Sequence, residues 1–195
     1  MFQLIDTTLS NLLKAELQIP APFYVYFMTP DRDFPGANSL PALNLFLFSI
    51  QENRDLRATN SIAQRRPNGA VSLPAPPVRV DCHYLVTAYS NVSETNPEAP
   101  FEEHQMLGEA MRVLYRYADI PPQYWASPAI SVEGLPLYTE TALPTTREMG
   151  VDLWQSQGQK PRACFHYKVT ANLDLQTPAP LYAPVQSVML TEPSA

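Results

Sequence analysis

Residues Pro41 to Arg57 read PALNLFLFSIQENRDLR, an apolar run that passes without a break into paired charges. Leu43, Leu45 and Leu47 fall on one face of a strand, and Phe46, Phe48 and Ile50 fall on the other. A strand apolar on both faces is covered on both sides, which predicts a place in the middle of a sheet. Glu52, Asn53, Arg54, Asp55 and Arg57 follow at once, and such charges stay buried only when paired. The junction therefore predicts a charged cluster at the rim of a rigid sheet, where a partner can read it. A strand that merely runs out into a solvated loop gives the same pattern.

Upstream, Ile5, Leu9, Leu12, Leu13 and Leu17 mark one face of a first amphipathic helix, ended by Pro20 and Pro22. Phe23–Phe27 predicts a short strand before a turn-rich stretch. Downstream, residues 55–77 read as a flexible loop carrying Arg57, Arg65 and Arg66, which with Arg54 make a local basic patch. Val78–Tyr89 is the next strand, with Val78, Val80, Cys82, Tyr84, Val86 and Ala88 on one face.

Glu102–Tyr117 is the clearest helix, with Leu107, Ala110, Met111, Leu114 and Tyr117 as its buried stripe. Its acidic start and basic end suit the helix dipole. Gly108 inside it predicts close packing. Ile130–Tyr138 reads as a strand, and Thr145 with Glu148 has capping-box spacing for a short helix to Gly158. Ala163–Leu175 alternates cleanly, with Phe165, Tyr167, Val169, Ala171 and Leu173 inward and His166, Lys168, Thr170, Asn172 and Asp174 outward, as in a one-sided strand. Val185–Thr191 reads as an edge strand, inside a tail over about 176–195.

The fold class that follows is α/β in the α+β sense: a central mixed or antiparallel sheet with flanking helices and long, ordered, Pro-rich loops. Twenty-one prolines in 195 residues, about double the usual share of roughly 5%, punctuate the ends of apolar segments. The length suits one domain over residues 1–195. Charged residues are 16% of the chain, fewer than the usual quarter or so, which points to surface buried against other subunits.

The net charge of −6 argues against nucleic acid, whose phosphates need a basic face. Two cysteines are too few for a disulfide scaffold. No signal peptide or membrane-spanning run is seen, so a cytoplasmic location is expected. No Gly-rich phosphate loop, nucleophile elbow or zinc-protease motif is present, and no cofactor is expected. One arrangement bears on chemistry: Cys82-His83 on one strand and Cys164-x-His166 on another offer the residue types of a zinc site, or of a small enzyme or ligand-binding domain. Alternation opposes it, because Cys82 and His83 are adjacent and point to opposite faces. His104 reads as solvated, and Trp154 as core or as an anchor at a subunit seam.

Pro41, Asn44, Leu45, Leu47, Glu52, Asn53, Leu56 and Arg57 together resemble a pattern in the N-terminal domain of cap proteins of extracellular contractile injection systems, the antifeeding prophage and Photorhabdus virulence cassette type. Pro76–Ser90, Glu102–Arg116 with Pro121-Pro122, and Asp152–Thr170 resemble that family in the same order. Ser49 and Gln51 depart from the pattern, where many relatives carry Asp and Arg. The resemblance implies a tail-terminator-like fold and a structural, non-enzymatic role. It implies a ring, a homohexamer, closing the distal end of an inner tube and its sheath, with tube and sheath proteins as partners. A tube, sheath or baseplate subunit is the alternative within that class. The interface residues this reading selects are Glu52, Asn53, Arg54 and Arg57, with Asp31, Arg32, Arg65 and Arg66 as companions. Longer members of the family carry a further C-terminal region, whose functions are not carried over.

Overall fold

A computed structural model describes residues 1–19, 22–30, 34, 41–57, 64–65, 71–72, 76–92, 96–130, 136–143, 154–155, 158, 160–173 and 181–182. Its centre is a five-stranded sheet in the order β1-β2-β5-β7-β6, formed by Tyr24–Tyr26, Ala42–Glu52, Val78–Tyr89, Cys164–Leu173 and Tyr138–Leu143. The β1–β2 pair is parallel and every other pairing is antiparallel, so the sheet is mixed. Two helices, α1 (Phe2–Glu16) and α2 (Ala99–Arg116), cover one face. Ile5, Leu9, Leu12 and Leu13 from α1 and Leu107, Ala110, Val113 and Leu114 from α2 form a single core with Leu43, Leu45, Cys82, Tyr84, Val86, Tyr167 and Val169. The 3.6-residue stripes of the helices meet the two-residue stripe of the strands, giving two layers around one apolar centre.

Polar contacts fix the helices over the sheet. The buried Tyr84 hydroxyl donates to Asp6 Oδ1 at 2.8 Å. At the start of α2, Ser90 bonds Glu102, and Arg162 Nη1 lies 2.6 Å from Glu103 Oε1. Glu102 and Glu103 thus tie α2 to the end of β5 and the start of β7, besides suiting the dipole. The helix begins earlier than the pattern predicts, at Ala99, with Pro100 in the first turn, where its missing N–H costs nothing.

Several expectations are corrected. β2 is not the middle strand; β5 is. β1 is only three residues long and pairs with Ala42–Asn44, so beyond Asn44 no described strand lies on that side of β2. Its burial follows suit: Ala42–Leu45 are buried, Phe46–Ser49 half-buried and Ile50–Glu52 exposed. β7 is not one-sided, because His166, Thr170 and Asn172 on its outward face are also buried. The strand expected at Ile130–Tyr138 is instead Tyr138–Leu143, preceded by a 3₁₀ turn at Pro128–Ile130. The loop over 55–77 contains two short strands, β3 (Gln64–Arg65) and β4 (Val71–Ser72), which with β8 (Leu181–Tyr182) form a second, three-stranded sheet. Val185–Thr191 lies outside the described residues, as does most of the helix expected before Gly158, of which Trp154 and Gln155 are helical.

Gly108 is exposed, and a Cβ built on it meets nothing within 4 Å. The close packing expected there is absent among the described residues. Gly108→Ala should therefore raise the stability of the isolated chain by about 0.5–1 kcal/mol, through lower unfolded-state entropy and better helix propensity. Urea unfolding would show it as a higher midpoint at an unchanged slope.

Candidate subunit-contact rim

The rim begins where β2 leaves its parallel partner. Asn44 closes that end: its Oδ1 accepts from the Met28 N–H at 3.1 Å and its Nδ2 donates to the Met28 carbonyl at 2.9 Å. The fully buried amide substitutes for a strand where β1 stops. Further along, the β2–β5 register shifts between Leu47 and Ser49, so that Ser49 faces His83 and Ile50 faces Cys82. The bulge moves Ile50 off the face shared by Phe46 and Phe48 and bends the strand end, a common device on unpaired edges.

Asn53 then locks the turn. Its N–H donates to the Arg79 carbonyl at 2.9 Å, and its Nδ2 lies 3.2 and 3.1 Å from the two Asp81 carboxylate oxygens. Its Oδ1 accepts from the Leu56 N–H at 3.0 Å, and the Arg57 N–H donates to the Arg54 carbonyl at 3.3 Å. This is an Asx-type turn anchored to the neighbouring strand. Arg57 Nη1 meets Glu52 Oε1 at 3.1 Å, with the two side chains 57% and 33% exposed. Arg54 and Asp55 point to solvent and make no side-chain bond among the described residues, and Leu56 is exposed beside them. The structure thus gathers Glu52, Asn53, Arg54 and Arg57 at one sheet end. Of the companions, Asp31, Arg32 and Arg66 lie outside the described residues, and Arg65 is described only as backbone in β3.

Behind the turn lies a network that the sequence reading did not single out. Asp81 accepts from Thr170 Oγ1 at 2.6 Å and meets Lys168 Nζ at 3.6 Å, and Lys168 also pairs with Glu140. Lys168 and Asp81 are about as buried as a surface strand allows, with 14% and 13% of each side chain exposed. The available signal was Asp81 itself, an acid in the apolar run Val78–Tyr89. Its partners are set by cross-strand register, which alternation alone does not reveal.

Next to this network, His83 Nδ1 lies 2.8 Å from His166 Nε2, and the Phe48 ring packs on both imidazoles at 6.1 and 5.3 Å. One nitrogen of the pair must carry the proton and the other accept it. Cys82 is wholly buried on the opposite, helix-facing side, so the four Cys and His residues do not converge on one ion. Burial, helped by Asp6 and Asp81, pushes the Cys82 thiol up to about 12, and burial raises Cys164 as well, so neither is a ready thiolate. Among the described residues no three His, Cys, Asp or Glu side chains cluster as metal ligands. Trp154 is buried and bonds Cys164, which makes it core in this chain, and His104 is exposed.

Burial lowers both imidazoles from their ordinary value, His166 to about 4 with further help from His83 and Lys168. A histidine depressed in the folded state binds fewer protons than in the unfolded chain, so its stabilising balance is lost as pH falls from about 6.5 towards the folded value. Stability should therefore fall as the pH drops from about 6.5 towards the folded values. Asp6, raised by burial, works in the opposite sense at lower pH. Urea unfolding across this window checks it, and the slope should flatten in the His83→Gln/His166→Leu double variant.

No described helix is long and apolar enough to cross a membrane. The geometry is that of a two-layer α+β domain whose second strand ends in a locked, charged turn. The chain belongs to the Pvc16 N-terminal domain family, whose model matches residues 4–187. Its fold is similar to that of a PVC sheath/tube terminator of an extracellular contractile injection system in the extended state, at TM-score 0.68 and 22% identity, over 100% of this chain and 65% of that one. It is also similar to the anti-feeding prophage cap, described as a tube-terminating cap, at TM-score 0.71 and 22% identity, over 96% of this chain and 60% of that one. The chain thus spans a little under two thirds of the length of those structures. No curated protein sequence matches it.

Asn53 and the motif ion pair should separate on mutation. Asn53→Ala strips the Asp81 carboxylate of two hydrogen bonds and frees the turn, and should cost about 1.5–3 kcal/mol. Glu52→Ala or Arg57→Ala should cost under about 1 kcal/mol, as for exposed pairs generally. Thermal melts of the three isolated variants give the comparison directly.

Proposed function

We propose that this chain is a structural terminator domain that forms a ring on the distal end of a tube and sheath and stops their growth. The observation that carries this reading is the family match over nearly the whole chain, joined by a whole-chain fold likeness to two terminators. The physical task suits the fold. Tube and sheath subunits stack head to tail, a contact that repeats without limit unless a subunit binds the growing face and offers no equivalent face outward. A sheet end whose turn is fixed by Asn53 loses little entropy on docking. Glu52, Asn53, Arg54 and Arg57 are then the contact residues, with Asp31, Arg32, Arg65 and Arg66 as further candidates. The ring is a hexamer, its partners are the tube and sheath proteins of the same particle, and its role is assembly without catalysis. The chain acts as one domain, working in the cytoplasm where such particles are built.

Deleting this protein should leave tube and sheath subunits soluble but give particles of uneven length or without intact distal ends. Supplying it again should restore uniform ends. Negative-stain length distributions from the deletion strain decide the matter: wild-type lengths with intact ends would refute the terminator role and favour a baseplate or tube-subunit role.

A further inference from the structure

His83 and His166 lie on the sheet face away from the helices as diagonal neighbours, since His83 pairs with Lys168, two residues beyond His166 on β7. Their near nitrogens, His83 Nδ1 and His166 Nε2, are 2.8 Å apart. The contact is an N–H···N bond, and the surroundings decide which ring donates. His166 Nδ1 is buried and has no hydrogen-bond partner. If His83 donated, the proton of His166 would be forced onto that nitrogen, leaving a buried N–H unmet. The lower-energy arrangement puts the His166 proton on Nε2, donating to a bare His83 Nδ1, with the His83 proton on its own Nε2.

A further proton has no good place here. On His83 Nδ1 it sets two N–H groups against each other across 2.8 Å. On His166 Nδ1 it makes a buried imidazolium whose new N–H finds no acceptor. Among the described residues, the charged groups facing the pair are Asp81 on β5, Lys168 on β7 and Glu140 on β6. From β2 come Phe48 and Ser49, which carry no charge. Burial opposes a proton on either ring and Lys168 adds to it, whereas Asp81 favours one on His83 and Glu140 favours one on both. Both carboxylates also pair with Lys168, which divides their pull.

What the pair holds is the end of β2. Ser49 is the register partner of His83, at the bulge, and the Phe48 ring packs on both imidazoles. Beyond Asn44 no described strand lies on the other side of β2. Among the described residues its outer half is therefore fixed by one ladder, by Phe48 against the two rings, and by Asn53 at its tip.

We propose that His83 and His166 form a proton-operated latch, closed at neutral pH, whose opening in mild acid frees the outer half of β2 and the charged turn beyond it. Opening separates the rings and returns them to water, where each takes up a proton near its ordinary value of about 6.5. A proton bound more tightly in the open state than in the closed one drives opening as pH falls. The latch is a property of the single chain and holds whether or not the turn is a terminator's contact surface. For a turn that is one, mild acid weakens attachment.

Hydrogen exchange on the isolated full chain tests it, with each rate referred to the intrinsic rate at the same pH. Between about pH 7.5 and about 5.5, protection of the bonded β2 amides over 49–52, and of the Asn53 N–H on the Arg79 carbonyl, should fall at least about threefold. Val86–Tyr89, at the other end of β5, should keep its protection. The fall should disappear in His166→Leu and in His83→Gln, which keeps a polar group at the half-buried position. An unchanged strand end would overturn the proposal. So would a fall of the same size in both variants, which assigns the effect to Asp81 or Glu140, or an equal loss along all of β5, which is global unfolding.

Imidazole ¹⁵N shifts give an independent readout. Near neutral pH both rings should carry their proton on Nε2, and a proton on His166 Nδ1 would contradict the latch geometry. Wild-type particle lengths in the deletion strain sink the terminator reading separately and leave these results untouched.

Discussion

The structure depends on the antiparallel ladder through β5. Val78–Tyr89 pairs with β2 on one side and β7 on the other along nearly its whole length. Its alternate side chains build the core under α1 and α2, and the intervening ones build the opposite face. Because every backbone group in the middle of this ladder is met from both sides, β5 cannot shift register without reversing which face each side chain occupies. Everything beside it inherits its position from that constraint: the helices through Tyr84 and Ser90, and the rim through the Arg79 carbonyl and Asp81.

The rim is therefore a rigid projection of the sheet. β2 loses its parallel neighbour after Asn44, bulges after Leu47 and ends in the turn fixed by Asn53. Unpaired edges invite uncontrolled pairing, and bulges and charges are the usual protection. Here the same devices serve two ends: they discourage indefinite strand addition and present an ordered charged surface. For a protein proposed to stop an open-ended assembly, an edge that is both shielded and specific is the physical requirement.

Much of the fold was legible in the sequence, for reasons that mark the limit of such reading. Val78–Tyr89 and Cys164–Leu173 alternate cleanly, and Ile5–Leu13 and Leu107–Leu114 carry helical stripes, so a local period reveals them. Tyr138–Leu143 was displaced because its sequence, YTETAL, is polar and owes its strand to pairing with β7. Two apolar faces predict a central place for β2, whereas the three-residue β1 leaves no described strand on one side of its far half. At the rim, the charges were legible as a cluster but their division of labour was not. Asn53 proves to hold the turn, while among the described residues the Glu52 and Arg57 side chains pair only with each other at the surface. The His83–His166 contact and the Asp81 network needed cross-strand register, which no single segment encodes.

The central claim is that the turn after β2 is a pre-formed contact surface carried by an unchanging sheet. Hydrogen–deuterium exchange, compared between the isolated chain and assembled particles, tests this most directly. Amides of β5 should exchange slowly in both states with no difference, while those of Arg54 and Asp55 should exchange readily in the isolated chain and become protected on assembly. Protection that appears in β5 while the turn remains unchanged would contradict the account.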